Sequence, residues 1–335
     1  MSLAQPPRRR LRRSGGYTLL EVIVVVILMS GMSLLLSEAL RTTQQTDGFL
    51  AASARAAEKG QTTIYSITGL ISESRHLYEN DATGIAYLEA CDLGHLPVAP
   101  GARLPVIDEG SELHADAIDT PYAGNMLLFV REVNASTCVA DRRRGTERWI
   151  DTYRMVAVYP NIVARGLSLG SKQSRDLVIW RSVAYPSYRQ ILEIGDKKER
   201  ESVVKDLRDR YGFTYAWDPS EDVEEAFYEL RGNGSVSRHP QGRPSIEEDD
   251  LLSDGGLLVY GGARLAETSD DSATRRAVLA ARTVDDWHPH GFEVKVSGTS
   301  GSRKVWLHTV VEAAAPDGRR TAVQAHTTMA HVRDF

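Results

Sequence analysis

The stretch that decides the fold is YTLLEVIVVVILMSGMSLLL, residues 17–36. Its only charged residue is Glu21. At a rise of 1.5 Å per residue, a helix of this length would be about 30 Å long, the thickness of a bilayer core. The stretch therefore predicts one membrane-spanning helix. A carboxylate inside such a helix costs roughly 2.5–3.5 kcal/mol on insertion scales, which makes Glu21 a candidate functional residue.

The flanking sequence indicates the orientation of this helix. Five arginines and no acid precede it, namely Arg8, Arg9, Arg10, Arg12 and Arg13. Arginines next to an apolar helix favour the cytoplasmic side of a membrane. We therefore expect the N-terminus in the cytoplasm and the rest of the chain outside the cytoplasmic membrane. A secretory signal peptide fits less well, because no small-residue cleavage site follows the apolar run.

Composition excludes some classes of function. The apolar fraction of 42% and the charged fraction of 25% are typical of a chain with a globular core. Loss of the five leader arginines would change the formal net charge from −5 to −10. An acidic body argues against nucleic acid as the main partner, because such binding depends on cations that neutralise phosphates.

The opening motif GYTLLE, followed by the apolar run, resembles the class III signal of type IV pilins and type II secretion pseudopilins. The resemblance implies that a prepilin peptidase cuts between Gly16 and Tyr17 and methylates Tyr17. It also implies a bacterial inner-membrane protein with a periplasmic head. Other pilins or pseudopilins and an inner-membrane assembly platform would be its partners. A tyrosine where the family most often has phenylalanine is a modest departure.

Physical chemistry offers a role for Glu21 in such a family. Where N-terminal helices bundle into a filament, the carboxylate can pair with the α-ammonium group of a neighbouring subunit. A desolvated pair is strongly directional and would set the register between subunits. Glu21 also lies in the first helical turn, where the helix dipole favours a negative charge. The alternative interpretation is a plain membrane anchor in which Glu21 is incidental.

The remainder of the chain predicts an α+β fold. Residues 37–78 continue the N-terminal helix, since Ile64, Ile67 and Ile71 recur at helical spacing. The head, residues 79–335, is expected to be a mainly antiparallel sheet packed on that helix. Pro316-Asp317-Gly318 predicts a turn between the last two strands. The predicted strands are rich in β-branched and aromatic residues and cover 125–133, 152–160, 176–185, 291–297, 303–315 and 319–333.

Residues 196–232 are expected to interrupt the sheet as a small helical insert. Asp196 is a candidate N-cap for a first helix, and Asp218 followed by Pro219 for a second one. The Gly-, Pro- and acid-rich residues 233–256 are interpreted as an exposed loop.

The two cysteines, Cys91 and Cys138, leave two alternatives open. In an oxidising compartment they would form a disulfide worth roughly 3–4 kcal/mol. Otherwise they are two buried thiols.

No sequence motif indicates catalysis, so we expect neither an enzyme nor a cofactor. The aspartates of the acidic loop lack the spacing of a calcium-binding loop, and the two histidines near residue 289 are separated by a proline. A metal site is therefore not expected at either place. The residues concerned are Asp249, Asp250, Asp254, Asp285, Asp286, His288 and His290.

The sequence thus predicts a non-catalytic filament subunit, most similar to a large minor pilin or a J-type minor pseudopilin. The size of the head favours a minor subunit over a repeating major one. Secretion and pilus assembly remain equally open. Two further classes also remain open, a membrane-anchored enzyme and a pilus-borne adhesin or DNA-uptake subunit with a basic patch at Arg142, Arg143 and Arg144.

Overall fold

One helix, α1, spans 54 residues and joins two unlike parts of the molecule. The computed structural model describes residues 18–91, 93, 98, 102–110, 123–141, 144–163, 174–239, 264–265, 292–315 and 321–333. The helices are α1 (Leu19–Ser72), α2 (Ala82–Ala90), α3 (Tyr188–Glu193) and α4 (Lys197–Asp209). The strands are β1 (Ser74–Leu77), β2 (Ile107–Asp108), β3 (Leu127–Asp141), β4 (Thr146–Val163), β5 (Ser174–Arg181), β6 (Tyr185–Pro186), β7 (Tyr215–Trp217), β8 (Phe227–Leu230), β9 (Val236–Arg238), β10 (Arg264–Leu265), β11 (Phe292–Ser297), β12 (Arg303–Ala314) and β13 (Thr321–Val332). The predicted α+β class is confirmed.

The two halves of α1 differ in what surrounds them. Every side chain of residues 18–44 is exposed, although most of the residues up to 36 are apolar. The second half buries one face, with spacings of three and four residues that keep the buried positions on one side of a helix. The buried positions are Ala52, Ala56, Gly60, Thr63, Ile64, Ile67, Leu70 and Ile71.

The buried face of α1 packs on a mixed but mainly antiparallel sheet. Ten of the described strands form this sheet, whose main order is β1-β3-β4-β5-β10-β12-β11-β2, with β13 paired to β12 and β6 paired to β4. The pairing of β11 with β2 is parallel, and the other pairings are antiparallel. The predicted strands therefore all lie in the same sheet, and this sheet packs on α1 as expected.

The central strands bury both of their faces. On β3, Leu127 and Phe129 point into the cluster that contains Ile67 and Ile71 of α1. Leu128 and Val130 point to the opposite face, where an aromatic layer with α2 covers the sheet. These strands therefore read as continuous apolar runs instead of alternating ones. The outer layer has Tyr78, Tyr87, Tyr185, Trp217 and Phe227 among its aromatic members.

The predicted C-terminal hairpin is confirmed. β12 and β13 pair antiparallel in unbroken register from Arg303 opposite Val332 to Ala314 opposite Thr321. Residues 316–320, which hold the predicted turn, lie outside the described residues. Among the described strands, β13 pairs with β12 alone and so forms an edge of the sheet.

The insert is helical only in its first part. Asp196 caps α4 by accepting hydrogen bonds from the N–H groups of Lys198 at 2.7 Å and Glu199 at 3.0 Å, as predicted. The predicted second helix is wrong, because β8 occupies its place in a three-stranded sheet ordered β7-β8-β9. The Asp218 carboxylate instead closes a turn with the N–H of Ser220. The rings of Trp217 and Phe227 stack with centroids 5.8 Å apart, which joins β7 to β8.

Other predicted boundaries also differ from the structure, since β3 runs to Asp141, β4 begins at Thr146 and β5 ends at Arg181. The helical segment ends at Ser72 instead of residue 78, because residues 74–77 pair with β3 and place Leu77 in the core. The predicted loop 233–256 begins with β9, which pairs with β8. Residues 240–256 lie outside the described residues.

Close contact between α1 and β13 occurs at Gly60. A Cβ atom on Gly60 would lie 2.2 Å from Cδ2 of His326, whereas a Cβ atom on Gly69 would meet no atom within 4 Å. The contact joins α1 to the middle of the edge strand β13. A side chain at residue 60 would therefore displace the ring of His326, whereas one at residue 69 would displace nothing.

We expect Gly60→Ala to lower the free energy of unfolding by about 1–3 kcal/mol, because the ring of His326 must shift. Gly69→Ala is the matched control and should raise it by up to about 1 kcal/mol, since alanine favours a helix over glycine. Chemical denaturation of the full chain in one detergent measures both values. Equal effects of the two substitutions would contradict this packing.

Candidate functional site

The start of α1 is held by a reciprocal cap. The N–H of Thr18 donates to Oε2 of Glu21 at 2.8 Å, and the N–H of Glu21 donates to Oγ1 of Thr18 at 3.3 Å. This capping box satisfies donors that the first turn of a helix would otherwise leave unpaired. Glu21 thus has a local structural role in addition to its charge. Gly16 and Tyr17, the predicted processing residues, lie outside the described residues.

The apolar surface that follows Glu21 has no partner in the described part of the chain. Leu19 is 80% exposed, Leu28 63% and Leu35 74%, and the intervening large side chains are similarly open. An apolar patch of this size on a helix marks contact with lipid or with another apolar surface. α1 is the one described helix that is long and apolar enough to cross a membrane.

An open cleft lies at the opposite end of α1. It has a volume of about 690 Å³ and is bounded by the end of α1, by β1 and β3, and by the adjoining ends of β12 and β13. At 1.5 Å per residue, α1 places this cleft about 80 Å from Leu19 along the helix axis. The cleft is therefore remote from the apolar stretch.

Two ion pairs lie in the wall of this cleft. Arg75 of β1 pairs with Glu132 of β3, with Nε at 2.8 Å from Oε2. Arg131 of β3 pairs with Glu73, the residue that ends α1. The first pair joins β1 to β3, and the second joins the end of α1 to β3. In each pair, the arginine also neutralises the negative charge of the carboxylate.

A second polar cluster is buried on the face of β11 and β12 that points away from α1. Glu293 stands opposite His308, and Lys295 stands opposite Trp306. Neither carboxylate oxygen of Glu293 finds a hydrogen-bond donor among the described residues. Nδ1 of His308 lies 2.9 Å from Oγ1 of Thr327. The sequence FEVKVS alternates apolar and charged or polar residues, and both Glu293 and Lys295 are buried.

Burial shifts the proton affinity of this cluster. It raises the pKa of Glu293 to about 8 and lowers the pKa of His308 to about 4, with a smaller lowering from His326. It also lowers the pKa of Lys295, against a smaller opposing effect of Asp108. Both Glu293 and His308 are therefore favoured in their neutral forms.

The cysteines lie in different parts of the core and are not bridged. Cys91 is buried beside Met155 in the aromatic layer, with the two sulfur atoms 3.1 Å apart. Cys138 is buried in the cluster beneath α4. Burial raises the pKa of Cys138 to about 12 and that of Cys91 further. The structure thus corresponds to the buried-thiol alternative.

Most of the residues named in the metal-site and basic-patch hypotheses are not among the described residues. Asp249, Asp250, Asp254 and residues 285–290 lie outside the described residues, as do Arg142 and Arg143. Arg144 is described and lies 3.7 Å from the carboxylate of Asp141. Within the described ranges, no group of three or more His, Cys, Asp or Glu side chains is arranged to hold a metal ion.

We expect the free energy of unfolding to depend on pH through Glu293. Its pKa is raised from 4.5 on folding, so the stability that it contributes is lost as pH rises toward 8. Between pH 6.5 and 8 this loss amounts to about 2 kcal/mol, at about 1.4 kcal/mol per pH unit. His308 acts only at lower pH, because its depressed pKa destabilises the fold below 6.5.

Denaturation of the full chain across this pH range tests the assignment. Glu293→Gln should remove the decline, and the exposed Glu147→Gln, as a matched control, should keep it. A decline that persists in Glu293→Gln would show that another group causes it.

Comparison of the chain with protein families, with characterised proteins and with solved structures returned no match. The likeness of its N-terminal motif to pilins therefore rests on the residues around Glu21 alone. Three features of the structure are relevant to function, namely α1, the cleft and the buried polar cluster.

Proposed function

We propose that this chain is a minor pilin or minor pseudopilin, a non-catalytic subunit that joins a filament through its N-terminal helix. One observation carries the proposal most directly. α1 is a single unbroken helix whose second half is part of the core of the head, while its apolar first half has no partner within the described chain. Such a helix transmits force directly from its apolar end to the head.

The apolar half needs two environments in this function. In the membrane, lipid surrounds the 17–36 stretch, which is long enough to span the hydrocarbon core. In a filament, the same side chains pack against the helices of neighbouring subunits. The exposed stretch supports both states, because its large apolar residues lie on all sides of the helix.

The charge of Glu21 is available to a neighbour. Oε2 accepts hydrogen bonds from the N–H and the hydroxyl of Thr18, but no cation among the described residues forms an ion pair with the carboxylate. The α-ammonium group of a neighbouring subunit would supply that cation. We infer that this pair sets the register between subunits, since charge pairing in low dielectric is strong and directional.

The remaining assignments follow from the same motif. A prepilin peptidase would remove residues 1–16, an inner-membrane platform would assemble the subunit, and the head would lie in the periplasm. The head is large and includes an additional unit that consists of α4 and the β7-β8-β9 sheet. Its size supports a minor subunit, in either a secretion or a pilus system.

Processing tests the proposal first. Coexpression with a prepilin peptidase should yield a chain that begins with methylated Tyr17, as measured by intact and N-terminal peptide mass spectrometry. Gly16→Val is the control and should remain uncut, because the peptidase requires the small residue before the cut. An unprocessed parent chain would overturn the filament-subunit proposal.

A second experiment separates the charge of Glu21 from its role as a cap. Glu21→Gln keeps an N3 side chain that can bond the Thr18 N–H but loses the charge. Thr18→Ala loses the cap, at about 1 kcal/mol, and keeps the charge. In cells that contain the assembly machinery, we expect Glu21→Gln to be processed but to reduce the filament fraction at least tenfold, and Thr18→Ala to assemble nearly as the parent.

Quantitative immunoblotting of sheared filaments against whole cells measures that fraction. Equal loss in both variants would mean that Glu21 serves as a cap and does not set subunit register.

A further inference from the structure

We propose that the free edge of β13, together with the cleft at its C-terminal end, binds an extended acidic segment of a partner protein by strand addition. The inference concerns the head and does not depend on filament assembly. Its three supports are a strand edge that no described strand pairs with, a cation in the adjacent cleft that has no ion pair among the described residues, and a geometry that disfavours a second copy of this chain.

The edge of β13 is long and regular. Its twelve residues pair with β12 without a bulge, and no other strand in the described part of the chain pairs with it. Alternate residues of an antiparallel edge direct their N–H and C=O groups away from the paired strand, so these groups can accept a new strand. Thr327 and Met329 of this strand are exposed.

The usual protections of an edge are missing from β13. Soluble proteins cover a free edge or blunt it with lysine, proline, bulges or shortness, because an open edge recruits other strands. The sequence TAVQAHTTMAHV has neither lysine nor proline and carries no acid. An edge of this kind is a template for β-strand addition, in which main-chain hydrogen bonds supply the affinity.

The cleft adds a charge preference at one end of this edge. Arg333 and His331 line it, and Arg333 is exposed and has no ion pair among the described residues. The two carboxylates of the cleft, Glu73 and Glu132, are already paired with Arg131 and Arg75. Among the described residues of the cleft, the unsatisfied charge is therefore positive. It is complementary to an acidic residue of an incoming strand.

The direction of β13 disfavours a second copy as that strand. β13 runs alongside α1 in the same direction, since Gln324 bonds Ser53 at 2.9 Å and His326 contacts Gly60 further along. Antiparallel pairing of two β13 edges would point the two apolar helices in opposite directions, which one membrane cannot accommodate. In-register parallel pairing would place Arg333 of both copies side by side, a repulsive arrangement.

Designed peptides test the site on the full chain in lipid nanodiscs. The probe is a fluorescent peptide of alternating valine and threonine with two glutamates at its N-terminal end, which antiparallel addition places beside Arg333. One matched peptide has proline at its centre, and another has lysines in place of the glutamates. Fluorescence anisotropy gives the dissociation constants. Hydrogen exchange of residues 321–332 locates the binding.

We expect the proline peptide to bind at least tenfold more weakly than the probe, because it cannot complete the ladder. The lysine peptide should bind several-fold more weakly. Arg333→Ala should abolish the difference between glutamate and lysine peptides, whereas Lys205→Ala, on the exposed face of α4, should preserve it. Slower exchange in residues 321–332 should accompany binding of the probe.

Three results would overturn the proposal. One is the absence of binding by the glutamate probe. The second is equal binding of the proline peptide, which would indicate a contact without strand addition. The third is probe-induced protection elsewhere with none in β13. Self-association of the full chain that masks the β13 amides would instead identify a second copy as the occupant and would also reject the proposal.

Discussion

The packing of the second half of α1 into the sheet is the interaction on which the rest of the structure depends. Ile64, Ile67 and Ile71 lie in one cluster with residues of β3, β4, β5, β11 and β12, strands that are distant in sequence. Full burial of each such side chain contributes about 1.5–3 kcal/mol. The helix thus joins strands that are distant in sequence into one core, so it organises the head.

This constraint also explains where the open features of the head occur. A helix that ends at Ser72 leaves the sheet uncovered beyond it, and the cleft opens there between the neighbouring strand ends. A helix that lies close along β13, with Gly60 against His326, covers the inner face of that strand, and no described strand pairs with its outer edge. The features that we associate with partner binding thus arise from the length and the position of α1.

The two ends of α1 differ in the contacts that they make. At the N-terminal end, the capping box engages Glu21 while its charge stays unpaired, and the apolar side chains after it stay exposed. At the other end, the Arg131–Glu73 ion pair attaches the helix terminus to β3, and the Arg75–Glu132 ion pair joins β1 to β3. The filament-subunit function that we propose would require such an attachment at the head. Glu293, which is buried and has no hydrogen-bond donor among the described residues, shows that stability is not maximised everywhere in this head.

The amino-acid sequence by itself determined the apolar helix, the place of Glu21 in its first turn, the start of α4 at Asp196, and the predicted strands, because each depends on local pattern and propensity. Only the tertiary structure decided that residues 218–231 form a turn and β8, since the stacking of Trp217 on Phe227 overrides a local helix signal. It alone buried Glu293 in an alternating strand and left β13 at the edge. Burial, register and edge position depend on contacts between residues far apart in the chain, which no local pattern contains.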